Sequence, residues 1–213
     1  MKASPQSTRS ARRSQVERRE ESDRRMLRAA SELIARQGLS GTTLADIGQA
    51  AGYSRGLPVW RYGSKLGLIA ALLESMDGWL ETHLAGTIDG KQGVAALRAR
   101  IAAHLEAMRG SPIATSAFYC IFIESLFAMP ELKPHVTQWT DRWRKGFAAD
   151  VRAGQVRGEI RTDIDADEQA TLILCSLRGL IIDHMMDPKT TDLHTVDTAL
   201  SRIVDAMLCT RPG

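Results

Sequence analysis

The chain has 213 residues, of which 44% are hydrophobic and 5% aromatic, and its formal charge is +3; this length suits one large domain or a small domain joined to a medium one. Its three cysteines are odd in number and widely spaced, which excludes a disulfide framework, and no apolar run approaches the roughly 20 residues of a membrane span. Helix-forming Ala, Leu, Arg and Glu recur while alternating β-branched residues are scarce, so we predict an all-α fold in a soluble, cytoplasmic protein.

The charge is divided unevenly along the chain. Residues 1–65 contain thirteen Lys and Arg against six Asp and Glu, whereas residues 66–213 contain fifteen against nineteen. A basic N-terminal part followed by an acidic remainder favours contact of the N-terminal part with a polyanion. The alternative is a solvated basic tail that has no partner.

The first 21 residues combine Ser, Gln and Arg with almost no large apolar side chain, and they predict a flexible basic arm. From Ser22 onward the pattern changes, because apolar residues such as Met26, Leu33 and Ile34 recur at helical spacing. Gly38 is a natural C-terminal stop. A first helix is therefore predicted between Ser22 and Gly38.

Two short helices follow, separated by a glycine turn. Thr43 precedes Asp46 by three residues and reads as the N-cap of a helix that ends at Gly52. Ser54 can cap the next helix, which runs to Gly63. If Ser54 is the cap, the missing N–H of Pro58 removes a bond to the Ser54 carbonyl, so this helix is expected to start irregularly or one residue later.

The rest of the chain predicts long helices. An apolar pattern from Ser64 to about Gly86 indicates a connecting helix of about five turns. Five more helices are expected at about 91–109, 112–129, 131–157, 166–187 and 192–209, which gives about nine in all. Within the very apolar segment 112–129, Glu124 must either point to an edge or meet a partner inside a cavity.

Residues 43–62 supply the parts of a helix-turn-helix: a bracing helix, a tight turn, and a helix thin enough for the major groove. The stretch from Gly38 to Leu68 resembles the helix-turn-helix of the TetR family of transcriptional regulators, together with its trailing lysine. The matching features are Thr43 and Ile47 on the bracing helix, Gly52 at the turn, Ser54 and Arg55 opening the recognition helix, and Gly63, Ser64 and Lys65 after it. The sequence departs from the family at Pro58, Val59, Arg61 and Tyr62, where leucine, tyrosine, histidine and phenylalanine are usual.

The resemblance implies which residues meet DNA. Arg55 and Leu57, with Ser54 beside them, are the candidates for base edges, since arginine pairs with guanine and an apolar side chain suits a thymine methyl. The candidates for phosphate contacts are Thr43, Arg61, Tyr62, Ser64 and Lys65. Trp60 either packs on a sugar or belongs to the core. The alternatives are a core position for Tyr62 and ordinary solvated charge for the basic residues.

The same resemblance implies three segments: the arm at 1–21, a helix-turn-helix domain at 22–66, and a helical ligand-binding and dimerisation domain at 67–213. In this family the C-terminal helices enclose a pocket whose occupant changes the separation of the two recognition helices. Our candidates for its lining are Met76, Trp79, His83, His104, Met108, Phe118, Phe122, Trp143 and Phe147. The alternative is that the Met and aromatic residues are plain core and that the two histidines are surface or hydrogen-bonded residues.

The last two helices are the candidates for a four-helix dimer interface, as in the family. Gly179 would allow close helix approach. The predicted interface residues are Leu177, Leu180, Ile181, Met185, Leu200 and Ile203. A monomer that buries these helices internally is the alternative.

These observations predict a repressor that binds a pseudo-palindromic operator in double-stranded DNA as a homodimer and is released by a small apolar or aromatic effector. We expect no cofactor, no metal and no membrane partner. An enzyme is the first rival, but the sequence has no Glu-x-x-His pair, Cys-x-x-Cys pair, phosphate loop or nucleophile elbow. A helical adaptor or membrane-surface protein is the second, and it would not need the Gly-Tyr-Ser-Arg turn.

Overall fold

The structure, a computed structural model, describes residues 14–209, with the side chains of residues 194 and 207 left aside. The all-α fold is confirmed. Within the described range the chain forms nine α-helices: α1 Gln15–Gln37, α2 Leu44–Ala50, α3 Leu57–Tyr62, α4 Lys65–Ile88, α5 Gly93–Gly110, α6 Pro112–Phe127, α7 Lys133–Val156, α8 Ala166–Met186 and α9 Leu193–Leu208. A short 3-10 helix, Pro130–Leu132, leads into α7.

The first helix begins at Gln15, so its predicted start at Ser22 is wrong by two turns. Ser14 and Glu17 form a capping box: the Ser14 hydroxyl accepts from the Glu17 amide at 3.1 Å, and the Glu17 carboxylate accepts from the Ser14 amide at 2.8 Å. Periodicity missed this segment because it carries almost no apolar residues. The remainder of the predicted arm, residues 1–13, lies outside the described residues.

The helix-turn-helix is compact because two glycines admit other backbone atoms. A Cβ on Gly48 of α2 would lie 2.6 Å from the Ser54 carbonyl oxygen and 3.0 Å from Pro58 Cδ. A Cβ on Gly67 of α4 would lie 2.2 Å from the Tyr62 carbonyl oxygen. Both glycines are therefore needed where α3 packs between α2 and α4.

The recognition helix α3 starts two residues later than a Ser54 cap would give. Its N-cap is Gly56, and Pro58 lies in the first turn, where its missing N–H costs nothing. Ser54 instead begins a tight turn, in which its carbonyl accepts from the Leu57 amide at 3.1 Å. The predicted irregular start is thus confirmed in kind, and the shift is larger than one residue.

The remaining helices surround one core, and α1 belongs to it. Helix α7 packs against α5 and α8, and Phe147 of α7 is fully buried there. Helix α1 packs against α6 as well as against α2 and α4. The N-terminal helices therefore contact the C-terminal helices directly through α1, and not only through the connecting helix α4.

Candidate functional site

The outward face of α3 and the turn before it carry exposed side chains suited to DNA. Trp60 is 77% exposed, which removes the core alternative for this residue. Arg55 is exposed, and its guanidinium donates to the Gln49 side chain at 3.2 Å. Ser54 is exposed beside it, and Leu57 is half-buried against the core. Of the candidate base-reading residues, Ser54 and Arg55 are therefore accessible to a partner, and Leu57 is partly so.

Arg61 and Tyr62 point the other way, into a network with α1. Arg61 holds Asp23 with two donated bonds, at 2.7 and 2.5 Å, and its side chain is only 9% exposed. The Tyr62 hydroxyl donates to the same carboxylate at 3.1 Å. The pair with Asp23 raises the pKa of Arg61, and burial raises that of Tyr62. We expected these two residues to contact phosphates. In the structure their side chains bind Asp23 instead and hold α3 against α1.

Three further phosphate candidates also make internal contacts. In a capping box, the Thr43 hydroxyl accepts from the Asp46 amide at 3.2 Å and the Asp46 carboxylate accepts from the Thr43 amide at 3.3 Å; the Thr43 hydroxyl also donates to this carboxylate at 2.6 Å. The Ser64 hydroxyl caps α4 by accepting from the Gly67 amide at 3.1 Å. Lys65 Nζ donates to the Leu39 carbonyl at 2.5 Å. Thr43 and Ser64 remain exposed at helix N-termini, where backbone N–H groups favour anions.

The loop between α1 and α2 is also held by Glu124 from the end of α6. The Glu124 carboxylate accepts from the Leu39 amide at 2.7 Å, from the Ser40 amide at 3.0 Å, and from the Ser40 hydroxyl. Burial opposes ionisation, but the bonds from Ser40, Cys120 and Leu39 outweigh it and lower the pKa of Glu124. Glu124 therefore has a partner, as one of the two alternatives required. That partner is the Leu39–Ser40 segment of the helix-turn-helix unit.

A cavity of about 560 Å³ lies between α1 and the C-terminal helices. Five of the nine predicted lining residues border it: Met76, Trp79, His104, Met108 and Phe118. One wall was not predicted, because it is built by α1 through Arg24, Leu27, Arg28 and Ser31. The pocket is therefore not confined to the C-terminal segment, as the family resemblance had implied, but is shared with the DNA-binding unit.

The other four predicted lining residues lie elsewhere. Phe147 is fully buried in the core, and Trp143 is buried with its ring edge-on to His104 at 4.5 Å. Phe122 packs under the guanidinium of Arg178, 4.9 Å from ring centroid to Cζ. His83 stacks on Trp79, with 5.5 Å between the ring centroids, and does not border the cavity. An aromatic stripe at helical spacing cannot distinguish these core positions from a cavity wall.

The polar groups of the cavity are poorly partnered. His104 is buried, and its Nδ1 finds no hydrogen-bond partner among the described residues; nor does Trp139 Nε1. Desolvation, aided by the nearby charge of Arg178, lowers the pKa of His104 to about 3. Burial also lowers the pKa of Arg178, whose guanidinium donates to the Thr140 hydroxyl at 2.7 Å.

Of the six residues predicted for the dimer face, two are exposed in the protomer. Leu177, Ile181 and Leu200 are buried inside the protomer, and Leu180 is half-buried against the core. Met185 and Ile203 are exposed, as predicted. The exposed stripe of α8 instead runs along Leu172, Cys175, Gly179 and Met186. Both faces of α8 are apolar, so its sequence could not tell the inner one from the outer one.

Two other kinds of site receive little support from the part of the chain that the structure describes. No group of three or more His, Cys, Asp and Glu side chains there could hold a metal ion. No single described helix is long and apolar enough to cross a membrane; α5 and α6 would be so only as a pair, and they meet at 102°.

Comparisons with known proteins agree with this architecture. Residues 26–72 match the family model for bacterial regulatory proteins of the tetR family, and residues 113–209 match that for the C-terminal part of BetI-type transcriptional repressors. The regulator TtgR of Pseudomonas putida is 25% identical over 207 residues, which cover 88% of this chain and 93% of TtgR.

Solved structures give the same result. A transcriptional regulator from Saccharomonospora viridis in complex with choline matches with a TM-score of 0.79 at 23% identity, over 90% of this chain and 100% of that one. A TetR transcriptional regulator from Chloroflexus aurantiacus matches with a TM-score of 0.78 at 25% identity, over 89% and 97%. Both family models and these relatives describe transcriptional regulators rather than enzymes. This chain belongs to the TetR family and is a DNA-binding transcriptional regulator.

Proposed function

We propose that this regulator is a repressor, which binds a pseudo-palindromic operator as a homodimer and leaves it when a small molecule enters the cavity. One observation carries the proposal: α1 forms a wall of the cavity and also holds the recognition helix, through the pair between Asp23 and Arg61. The matched C-terminal family is one of repressors.

Operator recognition rests on the exposed face of α3 and its preceding turn. Arg55 reads a guanine through a bidentate bond, and Trp60 packs against the sugar-phosphate backbone. In vitro selection from random duplexes would give the operator, and fluorescence anisotropy would give affinities. Arg55→Ala should cost about 1 to 3 kcal/mol at the selected site and relax base preference at one position per half-site.

The matched control for Arg55 is Arg152→Ala, which removes an exposed arginine from α7, outside both the recognition helix and the proposed dimer stripes. It should leave both affinity and sequence preference unchanged. An Arg55→Ala protein that keeps the wild-type preference would contradict the assignment. A selected site with a single asymmetric half-site, bound by one protomer, would contradict the dimeric mode.

The homodimer is formed by the exposed stripes of α8 and α9. Gly179 is exposed with open space where a Cβ would be, which suits the close approach of a partner helix. Met186 and Ile203 supply apolar surface on either side, 81% and 54% exposed in the protomer. Gly179→Arg should therefore give monomers in sedimentation velocity, while Thr137→Arg, a change at an exposed position of α7, should not.

Release follows if the ligand prefers the conformation that does not fit the operator. The ligand would touch α1 directly, and it would touch α6 through Thr115 and Phe118, while Glu124 of α6 holds the loop before α2. Coupling of this kind is usually about 5- to 150-fold in operator affinity.

A cavity-filling substitution tests the coupling. Ala114→Trp in the lining should abolish the response to an effector or release DNA without one, and Ile123→Trp, at an exposed position of the same helix outside the lining, should do neither. An unchanged response in Ala114→Trp would contradict release through this cavity.

A choline-like cation is a second candidate for the effector. The neighbour from Saccharomonospora viridis was solved with choline, and the cavity here has aromatic walls from Trp79, Phe118 and Trp139, which can attract a quaternary ammonium group. An apolar or aromatic molecule is the first candidate because most of the lining is apolar.

A further inference from the structure

Arg178 is an arginine turned into the protein without an acidic partner. It lines the cavity from α8 and takes part in none of the ion pairs formed by the described residues. Its contacts are the Thr140 hydroxyl at 2.7 Å and the Phe122 ring at 4.9 Å. A hydroxyl and a ring leave most of the five guanidinium N–H groups without an acceptor.

The rest of the lining does not compensate this charge. The border of the cavity contains no Asp or Glu. Its two other arginines, on α1, are each paired with a carboxylate outside the lining: Arg24 with Glu21 at 2.7 Å, and Arg28 with Glu32 at 2.9 Å. Arg178 thus gives the cavity an unpaired positive charge on the side formed by α8.

Two buried nitrogen atoms in the same lining also lack a hydrogen-bond partner among the described residues. Trp139 Nε1 is a donor only, and it has no acceptor among the described residues. His104, 2% exposed, has its Nδ1 in the same condition. Such groups are costly to bury unless something completes their hydrogen bonds.

From this arrangement we infer that the effector is an organic carboxylate with an apolar or aromatic body, whose carboxylate pairs with Arg178 and accepts from Trp139. The inference rests on the proposed function, because it names the chemical class that fills the proposed effector cavity. A carboxylate is the planar anion that a guanidinium binds with two parallel hydrogen bonds.

The body of the ligand is set by the remaining lining. Leu27, Leu72, Met76, Met108 and Phe118 offer apolar and flexible surface, and the volume is within the usual range for small-molecule pockets. A cation such as choline would meet the aromatic walls but also the uncompensated Arg178, so the charge decides against it.

The test measures binding to the full-length dimer without DNA by isothermal titration calorimetry, which does not depend on the tryptophans of the lining. The probes are 4-phenylbutyrate, 2-naphthoate and decanoate, each beside its neutral amide, with choline as the cation. At least one carboxylate should bind at least ten times more tightly than its amide, because hydrogen bonds to a charged group are worth more than those to a neutral one. Equal affinity for the amides, a preference for choline, or no binding of any carboxylate at millimolar concentration would overturn the inference.

Variants locate the anion. Arg178→Gln should remove the preference for the carboxylate and leave the affinity for the amide within about threefold, whereas Arg178→Lys should keep part of the preference. Trp139→Phe should lower carboxylate affinity about fivefold by deleting the N–H, and Trp79→Phe, a matched change in the same lining, should not. A carboxylate preference that survives in Arg178→Gln would overturn the assignment of the site.

Release from DNA is then measured separately, by anisotropy with the selected operator. Carboxylate binding that depends on Arg178 but leaves the operator complex intact would support the ligand class and contradict the proposed release. Release by the neutral amides that is unaffected by Arg178→Gln would support the proposed release and contradict the carboxylate ligand class.

Discussion

Arg61 in the DNA-binding unit and Arg178 in the C-terminal unit are both arginines turned inward, and their surroundings are opposite. Arg61 is met by the carboxylate of Asp23, and the Tyr62 hydroxyl completes the cluster. Arg178 is met by a hydroxyl and an aromatic ring, beside a histidine and a tryptophan whose nitrogens lack partners. An inward charge whose partners are complete stabilises the fold, whereas an inward charge without them is a candidate for a ligand-binding position.

The largest expected effect comes from breaking the complete cluster. Asp23→Ala leaves the Arg61 charge buried and unpaired, which should cost about 3 kcal/mol of unfolding free energy, at the low end for such pairs because Asp23 is one-third exposed. Operator affinity should fall with it, since α3 loses its brace. Urea unfolding and anisotropy measure the two effects.

The control for Asp23→Ala is Glu21→Ala on the same helix, which removes ion pairs to exposed Arg24 and Arg25. It should be much milder on both measures. Equal effects from the two variants would mean that Arg61 is not structurally dependent on Asp23.

The next effect is a loss of stability in acid that originates at His104. Its folded pKa of about 3 is below the unfolded value of 6.5, so the unfolded chain binds the proton and stability falls as pH decreases from 6.5. By pH 5 the loss should be about 2 kcal/mol, and above pH 6.5 there should be none. His104→Leu should flatten this slope in urea unfolding, and His135→Leu, at a half-buried position outside the cavity, should leave it.

A smaller effect, of opposite sign, is expected at Arg178. Because Arg178→Met removes an inward charge that has no acidic partner, the free protein should gain about 1 kcal/mol, after the loss of the contact with Phe122 is allowed for. Thermal unfolding without ligand measures it. A clear fall in Tm would instead make Arg178 a structural residue, like Arg61.

The smallest expected change in unfolding free energy comes from an exposed ion pair. Arg152 and Asp167 form an ion pair in which both side chains are more than half exposed. Arg152→Gln should change the unfolding free energy by no more than about 0.5 kcal/mol and leave operator and ligand binding unchanged. A larger loss would show that exposure is a poor guide to the other three predictions.

The sequence was sufficient for the helices because hydrophobic periodicity and caps are local. The helix predicted at 166–187 is α8, Ala166–Met186, and that predicted at 91–109 is α5, Gly93–Gly110. The proposed recognition surface around Arg55 also rests on a local motif. The start of α1 was missed because a capping box without apolar residues carries no periodic signal.

The side-chain environment was harder to predict because packing sets the rotation of each helix about its axis. Leu172 is exposed and Ile173 is buried, although the sequence around them is apolar on every face. Phe147 and Phe118 belong to similar aromatic stripes, but only Phe118 borders the cavity. Arg178 and Arg24 were not predicted in the lining because an arginine on a helix usually belongs to a solvated face.

Helix α1 has a consequence for the construction of hybrid regulators. Asp23 faces the recognition helix, while the adjacent Arg24, and then Leu27, Arg28 and Ser31, face the cavity. A chimera that exchanges residues 14–64 for those of a relative would therefore change the α1 side of the cavity lining together with the recognition helix. Domain swaps in this protein should change inducer preference as well as operator choice unless those four lining positions are grafted back.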